Sequence, residues 1–165
     1  MAPSFPSHSQ SLLPNPDILI LDGIQRDADR FRFIIHIEQE PRCPLCGQAS
    51  RSGHSTYSRC LQDLAWQGVS VQLWLTVRRF RCRNVACLRK IFCERLPQVA
   101  PAYGRQTGRT SEIVRLVGYV AGGSPGQRLL SRLSIPTSGD TVRRRVRQEP
   151  APDSIPIRNL GVDST

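Results

Sequence analysis

The chain has 165 residues, six cysteines and a formal net charge of +10, from 23 Lys and Arg against 13 Asp and Glu. That length holds one ordinary domain or two small ones, and small domains bury so little apolar area that a staple is expected. No apolar run approaches the roughly 18 residues that span a bilayer, and the Pro- and Ser-rich start MAPSFPSHSQSLLPNP lacks the basic and apolar regions of a secretory signal, so membrane and secreted classes are set aside and a cytoplasmic protein is expected.

The charge is localised. Residues 1–40 carry three Arg against six acids, residues 41–149 carry nineteen Lys or Arg against five acids, and residues 150–165 carry one Arg against two acids. Twenty-two of the 23 cations are Arg, whose planar fork binds phosphate oxygens and guanine edges in a bidentate way. A GC-rich coding bias accounts for part of the preference over Lys, but not for the clustering in the middle of the chain.

In chain order, residues 1–16 read as a disordered tail. Residues 18–24 and 31–37 read as strands joined by a turn over 25–30, the second alternating Phe31, Phe33, Ile35 and Ile37 with Arg32, Ile34, His36 and Glu38. There follow Cys43-Pro44-Leu45-Cys46 and, 36 residues beyond Cys46, Cys82-Arg83-Asn84-Val85-Ala86-Cys87. Zinc favours four thiolates in a tetrahedron, so one structural Zn²⁺ held by Cys43, Cys46, Cys82 and Cys87 is predicted. Gly47, free to take positive φ, is expected to turn backbone amides toward the sulfurs. Three disulfides, with 15 possible connectivities, are the competing use of six cysteines, but C-x2-C spacing without a signal peptide suits metal. Between the pairs, residues 56–64 read as a strand, as do residues 71–81, where Val71, Leu73, Leu75 and Val77 share one face and Gln72, Trp74, Thr76 and Arg78 the other. The metal then closes a small antiparallel sheet within residues 17–98.

From Tyr103 onward the apolar period changes from two to about 3.6, which starts a second unit spanning residues 102–149. Thr110 is the expected N-cap of a helix whose inner face is Ile113, Leu116, Val117 and Val120, ended by Gly122 and Gly123. Ser124-Pro125-Gly126-Gln127 reads as a capping box, followed by Leu129, Leu130 and Leu133 as a buried stripe. After a turn containing Pro136, Ser138 caps a third helix running through Arg147, with Val142 and Val146 inward. Helix, short turn, helix is the geometry that places the last helix in a DNA major groove. Thr141, Arg143, Arg144, Arg145 and Arg147 are then left for solvent or DNA, and four Arg in five residues repel one another unless an anion faces them. The expected fold class is α+β, a small antiparallel zinc-bound β domain followed by a three-helix helix-turn-helix domain.

These residues resemble the transposases of the ISL3 group of bacterial insertion sequences. The likeness runs through Cys43-Pro44-Leu45-Cys46-Gly47, His54-Ser55, residues 61–64 (LQDL), Val77-Arg78-Arg79-Phe80-Arg81-Cys82, residues 91–97 (IFCERLP), Gly122-Gly123, Ser138-Gly139-Asp140-Thr141 and Leu160-Gly161-Val162-Asp163. The resemblance implies an N-terminal zinc-binding domain, a helix-turn-helix domain and an RNase H-like catalytic domain. In such enzymes several carboxylates hold a metal pair for in-line attack on a phosphodiester. Asp163 matches the place of the first catalytic carboxylate, and residues 150–165 are expected to be a linker and the start of that missing domain, so no catalysis is expected of the chain alone.

The function this implies is recognition of double-stranded DNA at the terminal inverted repeats of a mobile element, in DNA transposition. Arg78, Arg79, Arg81, Arg83, Arg89 and Lys90 are the expected phosphate contacts around the zinc unit, and the third helix the base reader. A homodimer or a full-length transposase is a further expected partner, and no membrane is. Cys60 and Cys93 fall where the family has other residues. Cys60 is expected to be a small buried hydrophobe, and Cys93 a substitute ligand at most. His54 is open between a fourth ligand, a hydrogen bond near the site and a phosphate contact. His36 and His8 are expected to do no chemistry, and Trp66 and Trp74 either stack on bases or pack a core. The competing functions are a zinc-dependent protein-assembly module and a helix-turn-helix transcription regulator.

Overall fold

The computed structural model describes residues 11–148. Five strands form one mixed sheet: β1 (Leu19–Arg26), β2 (Arg30–Ile37), β3 (Gly53–Trp66), β4 (Val69–Arg81) and β5 (Ile91–Cys93), in the order β1-β2-β4-β3 with β5 also on β4. Three helices follow: α1 (Gly108–Ala121), α2 (Gly123–Arg132) and α3 (Gly139–Arg147). The class is α+β, but the sheet is not wholly antiparallel as expected. β2 runs parallel to β4, Phe31 opposite Val71 and Ile35 opposite Leu75. Strand periodicity shows which residues face the core and is silent on partner direction.

The two expected apolar rows are buried: Phe31, Phe33, Ile35 and Ile37 on β2, and Val71, Leu73, Leu75 and Val77 on β4. Leu19, Leu21 and Leu61 join them, and Leu13, Leu96, Val99 and Ala100 cover the same cluster. Leu13 thus belongs to the core rather than to a disordered tail, and residues 1–10 of that predicted tail lie outside the described residues. Trp66 packs its ring 5.0 Å from Phe31 and 5.9 Å from Phe33, which settles its role as core packing. The β3–β4 hairpin closes on Gln67 and Gly68, both at positive φ (50° and 75°), the backbone that a two-residue primed turn requires.

The helices enclose Val114, Leu130, Ile135 and Val142. On α1 the buried residues are Thr110, Val114 and Gly118; of the expected face Ile113 and Val117 pack at its edge, whereas Leu116 is 46% and Val120 91% exposed. At Gly118 a Cβ would lie 2.7 Å from Val146 Cγ2 and 2.9 Å from Val142 Cγ1, so a bare backbone admits α3. Leu129 and Leu133 are nearly half exposed (45% and 47%), leaving Leu130 as the buried residue of the expected stripe.

The caps also differ. Thr107, not Thr110, caps α1 by accepting from the Thr110 amide, and α2 begins at Gly123 without a side-chain cap, so Ser124 is not one. Gln127 instead accepts from the Gly139 amide at 2.9 Å and holds the start of α3. Ser138 caps α3 as expected, accepting from the Thr141 amide.

Sheet and helices are joined at the end of β3. The Gln62 amide donates to the Arg105 carbonyl (2.8 Å) and the Thr107 amide to the Gln62 carbonyl (3.0 Å). The next residue, Asp63, is buried and accepts from Thr107 Oγ1 (2.7 Å) and Arg109 Nε (2.9 Å), with a second Arg109 contact completing a bidentate pair. Arg109 also donates to the Leu12 carbonyl at 2.6 Å. One carboxylate therefore fixes the start of α1, the end of β3 and the N-terminal segment together.

Candidate functional site

The first cysteine pair sits on a tight knuckle after β2. The Cys43 amide donates to the Gln48 carbonyl (2.9 Å) and the Gly47 amide to the Cys43 carbonyl (2.8 Å), with Gly47 at φ 73° as expected. The second pair follows β4, where the Asn84 side chain accepts from the Ala86 amide (3.0 Å) and the Cys82 amide donates to the Lys90 carbonyl (2.9 Å). Ser50 links the two knuckles, its hydroxyl donating to the Arg81 carbonyl at 2.6 Å and its amide to the Pro41 carbonyl at 3.0 Å. Cys43 and Cys87 are buried against Phe80 and Phe92, whose rings stack with centroids 5.9 Å apart.

The four sulfurs lie within 4.8 Å of one another. Cys43 Sγ is 3.9 Å from Cys87 Sγ, and Cys46 Sγ is 3.6 Å from Cys82 Sγ. A tetrahedron with Zn–S bonds of about 2.3 Å has edges of about 3.8 Å, so the cage fits zinc. Disulfides need sulfurs at about 2.05 Å, and all six cysteines are free thiols.

Electrostatics point the same way. Burial pushes the Cys43 thiol up, but the amides of Cys46 and Leu45 and the neighbouring thiols outweigh it and bring it down to about 7. At Cys82 the Asn84 amide favours the thiolate, yet burial and the hydrogen bonds with Cys46, Cys87 and Cys43 raise it to about 12. One thiolate forms readily at Cys43, while burial and the neighbouring thiols make Cys82 and Cys87 resist a second and third negative charge. A divalent cation resolves that conflict, and when bound it ties the loop after β2 to the end of β4. Cys60, exposed on β3, and Cys93, half-buried on β5, lie outside the cage. Cys60 is therefore not the buried hydrophobe expected. His54 is also outside it and bonds Ser55 Oγ at 3.0 Å.

Residues 39–95 match the family model described as the zinc-finger of transposase IS204/IS1001/IS1096/IS1165. The matched segment holds both cysteine pairs and all of β3, β4 and β5. It covers about a third of the chain, and it makes this segment similar to a transposase zinc-finger region. No curated protein and no solved structure matches the chain. Among the described residues, no helix is long and apolar enough to cross a membrane.

The basic residues divide by what holds them. Arg78 is a structural residue: its guanidinium pairs with the buried Glu94 carboxylate (Nη2–Oε1 2.6 Å) and donates to the Ile37 carbonyl (3.1 Å), tying β4 to β5 and β2. That pairing gives Arg78, whose side chain keeps 41% exposure, a structural role besides the phosphate contact expected of it. Arg79, Arg81, Arg83, Arg89 and Lys90 are exposed around the cage. Arg79 lies over the Tyr57 ring at 4.8 Å, Arg83 donates to Ser52 Oγ at 2.8 Å, and Lys90 Nζ donates to the Cys87 carbonyl at 3.1 Å.

On α3, Arg143, Arg144 and Arg147 are exposed, and Thr141 and Arg145 half-buried. Arg143 pairs with Asp140 one turn earlier. Trp74 is partly exposed beneath the Arg32 guanidinium at 5.3 Å, and His36 bonds Asp22 at 2.8 Å. His8 and Asp163 lie outside the described residues. Sequence reasoning missed Ser50, Asp63 and Gly118. Asp63 had the plainest signal, an acid flanked by Leu61, Leu64 and Trp66 within a strand.

Proposed function

We propose that the chain binds double-stranded DNA as the end-recognition part of a transposase-type protein, directed at the terminal inverted repeats of its element. The observation that carries this reading is a four-thiolate cage within a segment similar to transposase zinc-fingers, in one chain with a capped helix that exposes Arg143, Arg144 and Arg147. In this reading α2 and α3 act as a helix-turn-helix, with the N-terminal part of α3 at the base edges of the major groove. Arg79, Arg81, Arg83, Arg89 and Lys90 supply sequence-independent phosphate contacts. The role proposed is binding rather than cutting: in-line displacement needs a metal pair held by several carboxylates, and among the described residues the cluster able to hold a metal is the four-cysteine cage. A nuclease assay with Mg²⁺ or Mn²⁺ tests this: turnover abolished by Asp163→Asn contradicts it.

A protein-assembly role is favoured by one observation, the exposure of Val85 (94%) and Leu88 (90%) on the second knuckle. Salt separates the two readings. Phosphate binding weakens steeply with ionic strength, each contact adding about −0.9 to the log–log slope, whereas an apolar contact barely responds.

A further inference from the structure

The connector between sheet and helices, residues 97–106, forms the shared wall of two hollows. The first, of about 1050 Å³, is lined by Arg59, Arg79, Arg95 and Arg105 together with Tyr57 and Tyr103. The second, of about 760 Å³, shares residues 101–105 and extends to Thr141, Arg144 and Arg145 on α3. Six arginines thus line the trough that the two adjoining hollows make up, from the sheet to α3. Its one carboxylate, Glu94, is already occupied by Arg78. Among the described residues none of the six arginines has an acidic partner, whereas Arg30, Arg32, Arg42, Arg109 and Arg143 each have one.

The wall is built rather than loose. Arg59 donates to the Pro101 carbonyl (2.9 Å) and the Gly104 carbonyl (2.7 Å), and the Gly104 amide closes the turn onto Pro101 (3.0 Å). This holds Tyr103 at φ 61° with 90% of its surface exposed and the Arg95 guanidinium 5.9 Å from its ring. A bulky residue kept in the left-handed region with its ring in solvent carries a backbone cost that packing of the ring does not repay. At the far end, Arg145 Nε is buried without a hydrogen-bond partner. Burial and the neighbouring Arg144 push the Arg145 guanidinium's pKa down, a strain that an anion relieves.

We infer that this trough seats the phosphate backbone of double-stranded DNA flanking the bases read by α3, with Arg79, Arg95, Arg105 and Tyr103 as the contacting side chains and Arg59 as the positioning residue. The inference rests on the DNA-binding reading above and adds a surface to it.

The test uses the full chain and two labelled duplexes, the element's own terminal repeat and a scrambled sequence, in fluorescence anisotropy over a salt series. The Arg95→Ala/Arg105→Ala double variant removes exposed side chains only, and its circular dichroism and zinc content check the fold. The expected result is weaker binding to both duplexes alike, with the salt slope reduced by about 1.8 for two lost phosphate contacts. A double variant with wild-type affinity and slope, while Arg147→Ala, on α3 but outside both hollows, weakens binding to the native end, overturns the trough and leaves the DNA reading intact. Wild-type protein that binds neither duplex overturns both.

Discussion

At the scale of single residues, the cage separates cysteines that the composition alone treats alike. Cys43, Cys46, Cys82 and Cys87 converge, and Cys60 and Cys93 do not. Because metal binding and knuckle folding are one equilibrium, Cys43→Ser or Cys82→Ser is expected to abolish zinc retention and to melt the structure around residues 40–97. Cys60→Ser and Cys93→Ser are expected to keep the metal. Metal analysis with circular dichroism before and after chelation checks this, and an unchanged spectrum after chelation contradicts it. Asp63 is a second decisive residue. Asp63→Ala leaves Thr107, Arg109 and Thr110 without their buried acceptor and is expected to cost about 3 kcal/mol, the low end for a broken buried pair because Arg109 remains partly exposed. Urea denaturation measures that loss.

At the scale of elements, helix α1 is placed by a missing side chain. Gly118→Ala drives a methyl into Val142 and Val146 and is expected to cost about 1–3 kcal/mol by overpacking, read as a lower Tm. Ser138→Ala is expected to cost about 1 kcal/mol by removing the cap of α3, while Ser124→Ala, at a position without a cap bond, is expected to stay within about 0.5 kcal/mol. The strands of β2 and β4 were legible in the sequence because one buried face imposes strict alternation. The inner face of α1 was legible in part: Ile113 and Val117 pack against the helical core, but apolarity also pointed to Leu116 and Val120, whereas close helix approach was carried by glycine, which has no hydrophobic signal. Likewise the four zinc-type cysteines were legible from spacing, but Ser50 joins the knuckles through hydrogen bonds between distant segments, which no local pattern records.

At the scale of the whole molecule, the Asp63 joint sets the cage, the trough and α3 in one frame. The parallel pairing of β2 with β4 is part of that frame and was not visible beforehand, since it depends on which strand fills the centre of the sheet. Positive charge clustered in the middle of the chain is divided by this arrangement, with Arg95 and Arg105 exposed and Arg78, equally basic in sequence, paired to the buried Glu94. The central claim is that a metal-stapled scaffold presents its exposed arginines to DNA ends. The most direct measurement is fluorescence anisotropy of the chain with duplex from the ends of its own element and with scrambled duplex, at low and moderate salt, before and after chelation and zinc add-back. The account predicts salt-sensitive binding that prefers the native ends, falls on chelation and returns with zinc. Absence of binding, or binding indifferent to both sequence and metal, contradicts it.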